Sequence, residues 1–218
     1  MPSASAIVEI IFLPSESVIH VVEDDEDMRA SLVELLEDGG YTVRGYVRGE
    51  ELLARGEAIE PGCIVSDVRM PGIDGLTLLR RLRASGSTIP LMLITAHGDV
   101  SMAVAAMKAG AIDFLEKPFE ADALLAALSA ALSQSPGSDT AEDTESSRQL
   151  LQKLTSREHE VLEQLVAGKS NKEIAAHLRI SPRTVEFHRA HVMEKMAAKG
   201  LPELVRVWLS ADLSASTK

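Results

Sequence analysis

The sequence predicts two unlike domains: an α/β domain with a doubly wound, five-stranded parallel sheet, followed by a small all-α domain. Three observations predict this. Between residues 18 and 133, five short apolar runs alternate with segments of helical period. Residues 135–147, SPGSDTAEDTESS, hold almost no apolar side chains and read as an exposed linker. Beyond them, three helix-start signals fall within 27 residues and no strand-like run intervenes.

In chain order, residues 1–17 read as an amino-terminal extension or an extra strand. Their apolar part, Ala6 to Leu13, carries Glu9 and falls well short of the roughly 18 residues of a membrane span. No basic stretch precedes it, so a signal peptide is not expected. No other segment is apolar enough to span a bilayer, and a soluble cytoplasmic protein is the expectation. Strands are expected at Val18–Val22, Tyr41–Val43, Cys63–Val65, Leu91–Ile94 and Ile112–Leu115. Between and after them, apolar residues recur at helical spacing: Met28, Leu32, Leu35 and Leu36; Val100, Val104 and Met107; Leu124, Leu125, Leu128 and Leu132. Short buried strands alternating with amphipathic helices predict βαβ units, with helices on both faces and a functional crevice at the carboxyl ends of the strands. The domain is expected over 18–133 and the linker over 134–149. A helix running on from Leu132 is the alternative, which Pro136 and Gly137 disfavour.

Residues 150–218 follow a helical grammar. Thr155 with Glu158 and Ser170 with Glu173 are capping boxes, while Ser181-Pro182 places a cap before proline at the first helical position. Helices are expected at about 156–167, 171–178 and 182–197, and a fourth follows Pro202. Together they describe a compact unit built around a helix-turn-helix.

The chemistry-bearing residues fall at strand ends. Glu23, Asp24 and Asp25 follow strand one, Asp67 strand three, Thr95 strand four, and Lys117-Pro118 strand five. Carboxylates converging on one crevice repel unless a cation sits among them, and oxygen-only ligands suit Mg²⁺. A carboxylate can act as a phosphoryl-accepting nucleophile while a metal, a hydroxyl and an ammonium offset charge on the transferred oxygens.

The run VVEDDEDMRASLVELLEDGGY, followed by SDVRMPGIDG, ITAHGD and FLEKPF, resembles the receiver domain of two-component response regulators of the FixJ type. The resemblance implies that Asp67 accepts phosphate from a sensor histidine kinase. It also implies that Asp25 binds Mg²⁺ directly, Asp24 binds it through water, and the Arg69 carbonyl is a further ligand. Thr95 and Lys117 would contact the phosphoryl oxygens, Phe114 takes the place of the aromatic switch residue, and Ala96 keeps the small side chain beside the phosphate. The Lys117–Pro118 bond is expected to be cis. Arg69 and His97 flank the site at places that tune phosphate lifetime, although His97 alone reads equally as a solvated loop residue. A rival reading is a Mg-dependent phosphatase with an aspartyl nucleophile. That class resembles an Asp-x-Asp-x-Thr pattern after the first strand, whereas this chain has EDDED, and its best nucleophile candidate follows strand three.

The stretch LTSREHEVLEQLVAGKSNKEIAAHLRISPRTVEFHRAHVMEKM resembles the LuxR/NarL-type helix-turn-helix over about residues 153–209. Val185, Val192 and Met196 form the apolar face of its recognition helix. Arg183, Glu186, Phe187 and Ala190 lie on the other side, free to enter the major groove of promoter DNA. Phe187 is expected to touch a thymine methyl, the alternative being a core phenylalanine. Lys169, Lys172, Thr184, Arg189 and Lys195 are candidates for DNA phosphates, and His188 for orienting the helix. The family further implies a homodimer on phosphorylation, contact with RNA polymerase, and activation of transcription. The last helix, with Leu204, Val207 and Trp208, either dimerises on DNA or completes the core.

Composition bounds the rest. The single cysteine, Cys63, removes any disulfide framework, and seven aromatics argue against base-stacking platforms. The net charge of −11 argues against nucleic acid only as an average. Residues 1–140 carry 10 basic and 22 acidic side chains, a net of −12, while residues 150–218 carry 11 and 8, a net of +3.

Overall fold

The computed structural model describes residues 17–96, 99–133 and 141–212. The extension before Ser17, and His97, lie outside the described residues. Five parallel strands, β1 (Val18–Val22), β2 (Thr42–Tyr46), β3 (Gly62–Asp67), β4 (Leu91–Thr95) and β5 (Asp113–Glu116), form one sheet in the order β2-β1-β3-β4-β5. β1 and β4 are buried at every position, and so is β3 after Gly62, as central parallel strands between two helical layers must be. The period of two divides their side chains. Ile19, Val21, Cys63, Val65, Met92 and Ile94 face α1 (Glu26–Asp38) and α5 (Ala121–Ser133). Val22, Ile64, Leu91 and Leu93 join the apolar layer of α2 (Gly49–Leu53), α3 (Gly75–Ala84) and α4 (Val100–Lys108). Burial pushes the Cys63 thiol up to about 12, so it is an inert core group.

The strand expected at Tyr41–Val43 starts one residue later, at Thr42, and runs on to Tyr46. As the edge strand, β2 buries only Tyr46, so burial alternation gives little register information there.

Residues 141–149 correct the linker reading: they belong to α6 (Ala141–Gln152), a helix that buries Ser147. Its acidic, apolar-poor first turns hid it. Leu150 and Leu151 at its carboxyl end supply the packing that the propensity of a short helix alone does not. The remaining helices are α7 (Ser156–Val166), α8 (Asn171–Leu178), α9 (Pro182–Lys195) and α10 (Leu201–Asp212). Both capping boxes are present, and Ser181 caps α9 through the Thr184 amide at 3.1 Å.

The two domains touch. α10 packs against α4, β5 and α6, and the apolar layer of α3 and α4 runs on into the core formed by Val161, Leu162, Val185, Val192 and Leu204. Gly168, after α7, rests on the first turn of α4. A β-carbon there would sit 3.1 Å from the Ser101 backbone, and its φ of +83° already favours glycine. Among the described residues, no helix is long and apolar enough to cross a membrane.

Candidate functional site

The carboxyl ends of β1, β3 and β5 bring together residues far apart in sequence. Lys117 Nζ donates to Glu23 Oε2 and to Asp67 Oδ1, each at 2.7 Å. The Arg69 amide donates to Asp67 Oδ2 at 2.6 Å, so both oxygens of Asp67 are fixed. Gly75 allows α3 to close over this point: a β-carbon would lie 2.3 Å from the Asp67 carbonyl oxygen. Thr95 is buried at the end of β4, and its carbonyl accepts the Lys117 amide at 2.7 Å. The Lys117–Pro118 bond is cis, as expected. Ala96, next to Thr95, is exposed.

Glu23, Asp24 and Asp67 each place a carboxylate oxygen within 4.8 Å of the others. This corrects the sequence-based ligand set. Asp25 is exposed and its side chain caps α1, accepting the Met28 amide at 2.8 Å. A run of five acidic residues cannot be split into pocket and cap by eye. β1 ends at Val22, which points Glu23 into the crevice and leaves Asp25 at the helix start. Burial raises the Glu23 carboxyl above its usual range despite Lys117. Burial also acts against the Lys117 ammonium, yet hydrogen bonds to Asp67 and Glu23 hold it above its ordinary value. An oxygen-only set of three carboxylates fits a hard divalent cation, and Lys117 already balances part of their charge. Asp25→Ala should cost about 1 kcal/mol of stability as a lost cap, while leaving Mg²⁺ affinity unchanged. Glu23→Gln should weaken Mg²⁺ binding about tenfold by removing one carboxylate charge. Calorimetric titration checks both, and equal effects on Mg²⁺ would return Asp25 to the pocket.

Phe114 is buried on β5, in the same apolar layer as α4. A switch through Phe114 would therefore start from an inward ring. A groove between Leu53, Ile59, Arg81 and Ile89 opens elsewhere and holds none of these carboxylates.

In the helical domain, α9 buries Val185 and Val192 and turns Arg183, Glu186 and Ala190 outward. Phe187 is 59% exposed, which answers its alternative reading: it is no core residue. His188 is half-buried, as its packed reading requires, with Nδ1 enclosed. Lys172 is exposed on α8, and Thr184 is half-buried with its hydroxyl 2.8 Å from that of Ser181. Three cations have internal partners: Lys169 with Gln164, Arg189 with Asn171 on α8, and Lys195 with Glu158 at 2.6 Å. Lys195 is the clear correction to the phosphate set, since it is committed to a carboxylate that is only 3% exposed. Sequence reading saw Glu158 as a cap residue, which it is. The 37-residue separation from Lys195 hid its second role.

Known proteins match over the same two regions. A family model described as the response regulator receiver domain matches residues 19–129, and one for the luxR family of bacterial regulatory proteins matches 152–208. The transcriptional regulatory protein FixJ of Azorhizobium caulinodans is 48% identical over 203 residues, covering 93% of this chain and 96% of that protein. FixJ of Rhizobium meliloti is 44% identical, covering 93% and 100%. The crystal structure of full-length FixJ from B. japonicum superposes with a TM-score of 0.53 at 44% identity, covering 90% of this chain and 98% of that one.

Proposed function

This chain belongs to the response regulators that join a receiver domain to a LuxR-type DNA-binding domain, and from that premise we propose that Asp67 is its phosphoacceptor and phosphorylation its switch. The chain is a two-component transcription regulator of the FixJ kind and not a phosphatase acting on external substrates. The observation that carries the phosphoacceptor reading is the arrangement around Asp67: a buried carboxylate fixed by Lys117 and by the Arg69 amide, beside Glu23 and Asp24.

An Asp67 oxygen attacks the phosphorus of a kinase phosphohistidine. The P–N bond breaks, an acyl phosphate forms, and the departing imidazole takes a proton. Lys117 supplies an ammonium where negative oxygens gather, and the Thr95 hydroxyl, at the end of β4, would meet one of them. Glu23, Asp24 and Asp67 would hold Mg²⁺, joined by the Arg69 carbonyl. The ion would supply charge neutralisation at the phosphoryl oxygens.

The proposed response is a receiver homodimer that binds paired half-sites of promoter DNA in the cytoplasm and engages RNA polymerase to activate transcription. The receiver surface proposed for dimerisation is that of α4 and α5, and α10 packs on the α4 part of it. Dimerisation through that surface therefore requires α10 to leave, which would free a helix of the DNA-binding domain in the same step. The test is sedimentation and duplex binding with and without Mg²⁺ and a small phosphodonor. Phosphodonor should produce a dimer that binds DNA more tightly, and an unchanged monomer overturns the proposal. Exposed Lys172 is assigned to a DNA phosphate. Lys172→Ala should lower affinity for every duplex and reduce the slope of log affinity against log salt by about 1. An unchanged slope removes it from the phosphate set.

A further inference from the structure

Among the described residues, Phe187 is the most exposed large apolar side chain, and it projects from the outer face of α9. Its ring is not loose. The His191 ring, one helical turn on, meets it edge to face with centroids 4.2 Å apart and planes at 62°. The His188 ring meets it at 5.7 Å and 71°. His191 is itself placed from beneath, its Nδ1 lying 3.7 Å from the buried Glu158 carboxylate, which Lys195 also holds. The contacts run from the α7 core through an imidazole to an aromatic ring at the surface. A ring ordered before binding loses less rotational freedom when it meets its target. In the major groove, the thymine C5-methyl is the one apolar group on a base edge.

We infer that Phe187, held on edge by His188 and His191, is a fixed reader of a thymine C5-methyl group, and that His191 is its positioning residue. This rests on the reading of α9 as the helix that enters the major groove. Glu186, exposed beside Phe187, offers a carboxylate to a neighbouring base edge and does not compete for the methyl. Phe187 therefore contributes discrimination between thymine and bases that lack the methyl, and little to phosphate affinity.

Deoxyuridine isolates that one group. The full chain, with Mg²⁺ and phosphodonor, is used to enrich duplexes from a random pool, and each thymine of the bound sequence is then replaced singly by deoxyuridine. At one thymine per half-site the substitution should weaken binding about fourfold, the factor equivalent to ~0.8 kcal/mol for one methyl-sized group. Phe187→Ala should erase that ratio at that position and leave the salt slope unchanged. His191→Ala should shrink it with Phe187 still present, and His191→Phe should restore it, since a ring edge is what the position supplies. A loss of helix structure alone would weaken all duplexes alike and would not be rescued by a second aromatic. No thymine sensitive to the replacement, or the same ratio in Phe187→Ala as in the unaltered chain, overturns the methyl-reading assignment. An unchanged ratio in His191→Ala overturns the positioning role. Failure to enrich any duplex with salt-dependent affinity would instead sink the groove-entering reading of α9, so the two failures are distinguishable.

Discussion

Asp67→Asn should abolish labelling of the protein by a small phosphodonor, a fall of at least about a hundredfold, because the amide oxygen is a poor nucleophile and forms no stable acyl phosphate. The fold should survive. Asp67 sits among other carboxylates, and neutralising it relieves repulsion while Lys117 keeps Glu23 as a partner 2.7 Å away. The consequences reach the opposite domain. With no phosphoryl group, nothing new engages Lys117 or the Thr95 hydroxyl, so the arrangement with Phe114 buried and α10 on α4 persists. Phosphodonor should then leave both the sedimentation coefficient and the DNA affinity of the variant where they began. Persistent labelling would move the nucleophile to another carboxylate of the crevice, with Asp24 the first candidate. Labelling that disappears while dimerisation still responds to phosphodonor would separate the switch from the site.

How much of this was legible in the sequence depended on how local the deciding physics was. The capping boxes at Thr155 and Ser170 and the Ser181-Pro182 start sit within one turn of the helices they begin, and α7, α8 and α9 start where those signals place them. β1, β3 and β4 are buried on both faces, so their apolar runs were plain. Asp67 and Thr95 could be named because each ends such a strand, and Lys117 because it follows the short apolar run of β5. Three features were not legible. Glu23 and Asp25 differ only in which side of the β1–α1 turn they occupy, and that is set by where the strand stops. α6 draws on packing against α10, far along the chain, which composition does not report. Lys195 reads as one more cation on a basic helix until α7 brings Glu158 beneath it.

That last pair carries the second large effect. Glu158 accepts Lys195 Nζ at 2.6 Å and the Thr155 amide at 2.7 Å, so one buried carboxylate both starts α7 and anchors the far end of α9. The Lys195 hydrogen bond, opposed by burial and aided by Thr155, holds the Glu158 carboxyl down at about 2. A carboxyl whose folded value lies below its unfolded value, near 4.5, contributes stability fully above pH ~4.5. That contribution fades as pH falls through the interval down to about 2. Glu158→Gln keeps the size of the side chain but turns an amide toward Lys195 and leaves a half-buried ammonium unpaired. It should cost about 2–3 kcal/mol at pH 7, below the usual 3–5 for a broken buried pair because Lys195 keeps some access to water. The single tryptophan, Trp208, lies on α10 and gives urea unfolding of this domain its own fluorescence signal. The gap between Glu158→Gln and the unaltered chain should be widest near pH 6 and should close as pH falls from 4.5 toward 2, since only the unaltered chain has a carboxylate to protonate, and it takes up that proton more readily unfolded than folded. Lys195→Met should reproduce most of the loss, and the double variant should lose less than the two single losses added together. A gap that stays constant from pH 6 to pH 3 would mean that the glutamate acts through shape alone and that the carboxylate under the recognition helix carries no linkage. α9 would then be held by its apolar face, Val185, Val192 and Met196, and charge would play no part in holding the helix that presents Phe187.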